Sequence, residues 1–84
     1  MNRLIFTGWT PGTLAPSTPM YELHQDGRFA CALGVEVTPE GKTRVTYAWT
    51  DNRGGFGAVD LPRKYADNDK ARRRAIVRAL PLAK

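Results

Sequence analysis

The side chains that most often carry catalysis or bind metals are scarce in this sequence. It has one cysteine, Cys31, one histidine, His24, and one serine, Ser17. A nucleophile needs a base within hydrogen-bond reach, and Ser17 lies in a proline-rich stretch without one. Cys31 and His24 fall on opposite faces of the predicted sheet, so we expect them not to meet. One thiol and one imidazole are too few for a structural zinc site, and we predict a non-enzyme without a cofactor.

Acidic residues and glycines show no catalytic arrangement either. The carboxylates outside the C-terminal segment are dispersed over predicted strand rims and turns, so no pair is placed for general acid–base work. These carboxylates include Glu22, Glu36, Glu40 and Asp60. Gly54 and Gly55 are not followed by the Gly-Lys-Ser/Thr of a phosphate-binding loop. We interpret this segment as a glycine loop that exposes Arg53 to a partner.

Lysine and arginine carry the functional signal instead. The chain of 84 residues has a formal net charge of +5. Residues 1–60 hold five cations and six acids, whereas residues 61–84 hold eight cations and two acids. A basic segment on a near-neutral body predicts an anionic partner, either nucleic acid or an acidic protein surface. The alternative is a solvated helix face that serves solubility alone.

Most of this positive charge lies on one predicted helix, residues 67–80. Asp67, Asn68 or Asp69 is expected to cap its start, and Pro81 is expected to end it. At 100° per residue, the apolar residues span one half of the helix and the cations the other. The apolar half contains Ala71, Ala75, Ala79, Ile76 and Leu80. Arg72 falls inside this half, where it is expected to extend to the rim or to pair with an acid such as Asp60.

The outward cations and their neighbours form the predicted partner-binding site. It comprises Arg53, Arg63, Lys64, Lys70, Arg73, Arg74 and Arg78. The helix stripe contains no Asn or Gln, the residues that commonly read bases, so we expect contacts to the phosphate backbone. The first hypothesis is a non-catalytic module that binds nucleic acid or a nucleic-acid-handling complex. The alternative is a small regulator or inhibitor of host machinery, of the kind that mobile elements encode, which docks by its sheet face, loops and arginines.

Alternation of apolar and polar residues predicts the sheet. In residues 28–37 and 43–50 every second side chain is apolar, a pattern typical of strands. Shorter runs of β-forming residues predict three more strands. We expect one α+β domain spanning residues 1–84: an antiparallel β-meander of four to five strands with the C-terminal helix on its aromatic face. The predicted strands cover residues 3–8, 20–25, 28–37, 43–50 and 56–61, with a proline-rich connector at 9–19.

Turn residues predict the register of two hairpins. Pro39 and Gly41 suit a bulged three-residue loop, which pairs Glu36 with Arg44. Its ladder continues with Val35 opposite Val45, Leu33 opposite Tyr47 and Cys31 opposite Trp49.

The hairpin that joins the predicted strands 20–25 and 28–37 has two candidate turns. A two-residue Asp26–Gly27 turn sets Phe29 opposite His24 and so mixes polar with apolar residues. A three-residue loop that includes Gln25 sets Phe29 opposite Leu23 and Cys31 opposite Tyr21. Because a one-residue slip moves every side chain to the other face, burial favours the three-residue loop.

These registers give the sheet two different faces. The face predicted to be the core collects Tyr21, Leu23, Phe29, Cys31, Leu33, Val35, Val45, Tyr47 and Trp49. The opposite face collects the small side chains Ala30, Ala32, Gly34, Thr46, Ala48 and Thr50. Small residues permit close approach, so three interpretations stay open for this second face. It is plainly exposed, it is covered by the chain's own connector or first strand, or it contacts a partner, for example in a homodimer.

Cysteine content and the lengths of the apolar runs predict the compartment and the relation to the membrane. A single cysteine precludes an internal disulfide, and the apolar run near the start is three residues long. We therefore predict a cytoplasmic protein. No apolar run approaches the ~20 residues of a membrane span, and the apolar side of the helix is mostly alanine, so no membrane partner is expected.

Overall fold

The computed structural model describes residues 2–11, 17–50 and 55–83. Five antiparallel strands form one sheet in the order β1-β2-β3-β4-β5, and a single α-helix follows them. The predicted α+β meander with a C-terminal helix is confirmed. The elements are β1 (Asn2–Thr10), β2 (Thr18–Gln25), β3 (Arg28–Val37), β4 (Thr43–Trp49), β5 (Gly55–Leu61), α1 (Asp69–Ala79) and a short 3-10 helix (Leu80–Leu82).

The hairpin between β3 and β4 has the predicted register. Its loop closes through two backbone hydrogen bonds, from Thr38 to the Lys42 carbonyl and from Gly41 to the Thr38 carbonyl. Gly41 has a φ of 83°, a left-handed conformation that glycine adopts at little cost. Glu36 therefore lies opposite Arg44 as expected. The further pairs Val35–Val45, Leu33–Tyr47 and Cys31–Trp49 are also as predicted.

The prediction for the hairpin between β2 and β3 is wrong. Gln25 pairs with Arg28 across a two-residue turn, in which Asp26 and Gly27 have φ angles of 52° and 80°. These two positive angles are those of a type I′ turn, whose twist suits a tight hairpin and for which Asp-Gly is a preferred sequence. The local turn preference therefore prevails over the three-residue loop that burial favoured.

A β-bulge in β3 then brings the apolar residues of β2 and β3 opposite each other. The register shifts by one residue between Leu23 and His24, so that Leu23 lies opposite Cys31 and Tyr21 opposite Leu33. The extra residue on β3 is Ala30, which is buried. The bulge corrects a further prediction, because Phe29 leaves the core. Phe29 instead pairs with His24 on the opposite face, with ring centroids 5.8 Å apart.

The first strand is longer than predicted and contains a second irregularity. Its register with β2 shifts between Phe6 and Gly8, and Gly8 has a φ of 118°. Beyond this bulge Trp9 pairs with Pro19, so both residues belong to strands and not to the predicted connector at 9–19. Residues 12–16 of that connector lie outside the described residues.

The core lies between the sheet and α1. Its buried apolar side chains form one hydrophobic cluster. Every residue of the predicted core face except Phe29 belongs to that cluster or packs against it. The helix contributes Ala71, Ala75, Ile76 and Ala79, all buried. Three of these four are alanines, so the helix axis can approach the large side chains of the sheet closely.

The open face of the sheet, the one away from α1, is unevenly covered. At the end where β2 begins, Met20 packs over Gly34. A Cβ atom on Gly34 would lie 2.9 Å from the Thr46 hydroxyl and 3.0 Å from the Met20 sulfur. Towards the edge strand β5 the face is exposed, and Phe56 is 87% accessible. Part of this face is thus filled by the chain itself, and part presents apolar surface to solvent.

The α-helix α1 has 11 residues and the 3-10 helix has three. Within residues 2–11, 17–50 and 55–83, neither α1 nor the 3-10 helix is long and apolar enough to cross a bilayer.

Candidate nucleic-acid interface

The side chains with potential nucleophilic chemistry are placed apart. Cys31 is fully buried in the core beneath α1, whereas His24 lies on the open face and shares a hydrogen bond of 3.0 Å with Glu22. The predicted separation of Cys31 and His24 on opposite faces is confirmed. In the described part of the chain, no group of three His, Cys, Asp or Glu residues could hold a metal ion.

The predicted cations converge on one surface groove of about 650 Å³, which we call the basic groove. It lies between the outer side of α1 and the segment that joins β5 to α1. No acidic side chain is present among its described lining residues. Its cationic residues are Arg63, Lys64, Lys70, Arg73, Arg74 and Arg78. Six of the seven predicted partner-binding residues therefore share one site, and the seventh, Arg53, lies outside the described residues.

The start of α1 is set by a side-chain cap. Asn68 Oδ1 accepts a hydrogen bond of 2.8 Å from the Ala71 amide, which satisfies one of the free N–H groups of the first turn. Asn68 is thus the cap among the three residues considered, and the α-helix covers Asp69–Ala79 within the predicted 67–80. With Ala75 and Ile76 buried against the sheet, Arg74 and Arg78 point outward.

The other wall of the basic groove is anchored to the sheet. The Tyr65 amide donates a hydrogen bond of 3.0 Å to the hydroxyl of Thr43, a fully buried residue at the start of β4. The guanidinium of Arg63 lies 5.2 Å from the centre of the Tyr65 ring, a cation–π distance. This wall was not predicted as part of a groove, because the sequence of residues 62–66 has no periodicity to place it.

The helix cations divide into free and bound groups. Lys70, Arg74 and Arg78 are exposed and form no ion pair with any residue that the structure describes. Four residues apart, they form a row along the helix with a rise of about 6 Å per step. Such a row leaves its charge available to an external anion.

Arg73, by contrast, is bound within the fold. Its guanidinium donates 2.8 Å to Asp69 and 2.7 Å to the Leu4 carbonyl, and it lies 5.3 Å from the Tyr21 ring centre. Arg73 therefore links α1 to β1 and β2. It borders the basic groove, but part of its hydrogen-bonding capacity is already used.

Arg72 occupies the rim of the core, as an arginine in the apolar half of the helix must. It donates 2.8 Å to Asp67 and 3.2 Å to the Tyr21 hydroxyl. The suggested partner Asp60 is instead bound by Arg44 through two hydrogen bonds of 2.6 and 3.0 Å. This correction follows from the register, which places Arg44 directly opposite Asp60 on β5.

Tyr21 and Asp69 form the polar centre of the contact between α1 and the sheet. The Tyr21 hydroxyl donates a hydrogen bond of 2.6 Å to Asp69. Burial raises the pKa of the Tyr21 phenol, and its bond to the carboxylate acts in the same direction. The hydrogen bond from Tyr21, followed by the one from Arg73, lowers the pKa of Asp69 below its ordinary value. Asp69 thus stays ionised and neutralises arginine charge on the inner side of α1, whereas the outer row stays unneutralised.

Comparison with protein-family models, with curated proteins and with solved structures finds no significant match. The chain's own residues therefore carry what can be inferred of its function.

Proposed function

We propose that this protein is a non-catalytic module that binds nucleic acid through the basic groove. The observation that carries the proposal is the convergence of six cations on one groove without a carboxylate among its described lining residues. Neutralising phosphates with Lys and Arg releases counterions and drives binding that does not depend on sequence. A helix face that serves solubility alone would be expected to carry acids among its cations, as Asp69 lies beside Arg73 on the inner side of α1.

The chemistry of the lining indicates how the ligand is contacted. Arg and Lys reach phosphate oxygens readily, whereas base reading also uses Asn and Gln, which are missing from the described lining. The free row of Lys70, Arg74 and Arg78 runs along a rigid helix, so its charges are held in line. We therefore infer contacts mainly to the phosphate backbone, with little sequence preference.

Charge reversal in the basic groove tests this proposal. The Lys70→Glu/Arg74→Glu double variant is expected to weaken oligonucleotide binding at least about tenfold. Its plot of log affinity against log salt should be shallower by about 2, since two phosphate contacts are lost. Fluorescence anisotropy with a labelled oligonucleotide at several salt concentrations measures both quantities.

The matched control is Arg28→Glu/Lys42→Glu, which changes the net charge equally. Both residues are exposed at hairpin turns, outside the basic groove. This variant should change affinity by less than about threefold at moderate salt, because distant surface charges are screened. Equal weakening by the two double variants would contradict a localised site. Negligible binding of the unmodified protein at low salt would contradict nucleic-acid binding altogether.

A second candidate function, docking onto a protein surface or a second copy, is favoured by the open face. Phe56 is 87% exposed there and lies beside Ala48, which is also exposed. A large aromatic next to small residues is a surface that an interface can cover, and aromatics and arginines are enriched at interfaces. The regulator or inhibitor of host machinery would use this face.

Substitution of Phe56 separates this candidate from the first. The Phe56→Ser variant should reduce capture of a protein partner in pull-downs treated with nuclease, or reduce self-association in sedimentation velocity. Its oligonucleotide affinity should be unchanged, because Phe56 lies across the sheet from the basic groove. If neither protein capture nor self-association of the unmodified chain survives nuclease treatment, the open face is not an interface.

A further inference from the structure

Two exposed aromatic rings lie on the helix side of the sheet, beside α1 and not beneath it. Phe6 is 39% exposed and Trp9 is 54% exposed, both on the edge strand β1. Their ring centroids are 6.3 Å apart in an edge-to-face arrangement, and Phe6 makes a similar contact of 5.3 Å with the buried ring of Tyr21. We call Phe6 and Trp9 the aromatic strip.

The aromatic strip is held in place by the helix. The Arg72 guanidinium lies 5.4 Å from the Trp9 ring centre, and the same arginine is fixed by Asp67 and Tyr21. Arg73 lies over the Tyr21 ring in the same way. Trp9 is therefore oriented by a contact with α1 and Phe6 by its contacts with Trp9 and Tyr21, while a large part of both rings stays open to solvent.

The position of the aromatic strip relates it to the basic groove. Arg72 lies over the Trp9 ring, and Arg73 donates to the Leu4 carbonyl on the same strand. Arg73 also lines the basic groove, so the strip and the groove adjoin through this residue. Rings that accept stacked bases next to cations that accept phosphates are the two components of single-strand recognition. In a duplex the base faces are already stacked on each other, so exposed rings would add little.

We propose that the ligand of the basic groove is a single-stranded nucleic acid, whose bases stack on Trp9 and Phe6 while its phosphates follow the cations of α1. This inference rests on the proposed function and adds the class of ligand to it. Because base faces are common to DNA and RNA, the stacking itself selects strandedness and not the sugar. It also tolerates any sequence, in agreement with the lack of Asn and Gln among the described lining residues of the groove.

The test compares a labelled twelve-nucleotide oligothymidine with the oligothymidine–oligodeoxyadenosine duplex of equal length. The Trp9→Ala variant should lose about 5- to 150-fold in affinity for the single strand, the range that corresponds to removal of one stacking ring. Its duplex affinity should change by less than about threefold. The matched control is Phe56→Ala, which removes an exposed aromatic from the open face and should leave both affinities unchanged.

A second measurement is independent of the stability of the Trp9→Ala variant. The sequence has two tryptophans, so the Trp49→Phe variant leaves Trp9 as the single fluorophore of its kind. Stacking predicts that oligothymidine quenches its emission in a saturable manner and that the duplex does not.

The outcomes separate this inference from the proposed function. If the single strand and the duplex bind equally, with no quenching and no effect of Trp9→Ala, the single-strand inference is overturned and the basic groove remains a duplex or general polyanion site. If neither nucleic acid binds at low salt, the proposed function itself fails. Selective loss of single-strand binding together with quenching supports both.

Discussion

Replacing Tyr21 with alanine is expected to destabilise the fold by about 3–5 kcal/mol. The ring is fully buried between the sheet and α1, so its removal leaves a cavity that the surrounding β-structure can close only in part. A domain of this size has a total stability of about 5–15 kcal/mol, so this single change removes a large share. Urea denaturation followed by circular dichroism gives the midpoint, which should fall by an amount well outside the experimental error.

The Tyr21→Phe variant separates packing from hydrogen bonding. It keeps the ring and removes only the hydroxyl, which donates to Asp69 and accepts from Arg72. The expected loss is about 1.5–3 kcal/mol, the range for hydrogen bonds that involve charged groups. An equal loss for both Tyr21 variants would mean that packing of the ring contributes nothing measurable, contrary to its burial.

The Tyr21→Phe variant should also change the acid dependence of stability. The folded-state pKa of Asp69 is lowered, so Asp69 contributes stability above its unfolded pKa of about 3.9 and loses it as the pH falls through the lower folded value. Tyr21 is the largest cause of that lowering. The stability difference between wild type and Tyr21→Phe should therefore shrink as the pH falls below about 4. A stability difference that stays constant down to about pH 2.5 would contradict the hydrogen bond between Tyr21 and Asp69.

Replacing Ile76 with alanine is the second change with a large expected effect, a loss of about 2–5 kcal/mol. Ile76 is the one large aliphatic side chain of α1 that is fully buried, and three alanines make up the rest of its buried side. The docking of the helix therefore depends strongly on this residue. Thermal and urea unfolding both measure the loss.

The adjacent residue provides the control. Val77 is also β-branched but 60% exposed, so Val77→Ala should change the stability by no more than about 0.5 kcal/mol. At temperatures where Ile76→Ala is partly unfolded, oligonucleotide affinity should fall with the folded fraction. In the unfolded molecules the row of Lys70, Arg74 and Arg78 is separated from the groove wall that contains Tyr65. Full affinity in an unfolded Ile76→Ala sample would show that the basic segment binds without the groove.

The two hairpins show what can be predicted from sequence and what cannot. Between β3 and β4, the turn residues Pro39 and Gly41 and the alternation of the strands agree on one register, so the prediction was correct. Between β2 and β3 they disagree, because the Asp26–Gly27 turn and the apolar pattern require registers that differ by one residue. The chain satisfies both by inserting the bulge at Ala30. A bulge has no sequence signature of its own, so the pattern alone assigned Phe29 to the wrong face.

The candidate site was predicted to a similar extent. The amphipathic period of α1 identified the outward cations, because helical spacing is a local property. The pairing of Arg73 with Asp69 could have been inferred from the same spacing, since residues four apart are neighbours on a helix. The Tyr65 wall and the aromatic strip depend on contacts between residues distant in sequence, such as Tyr65 with Thr43, and local patterns do not contain that information.

The sheet separates the helix layer from the open face, and this has a consequence for assembly. A ligand held along α1 covers one side of the molecule and leaves Phe56 uncovered on the other. The two surfaces do not compete for space, so the nucleic acid and the protein partner proposed above would be able to bind at the same time. Where the two ligands are parts of one assembly, binding of the first makes binding of the second intramolecular, and the combined affinity exceeds that of either contact alone.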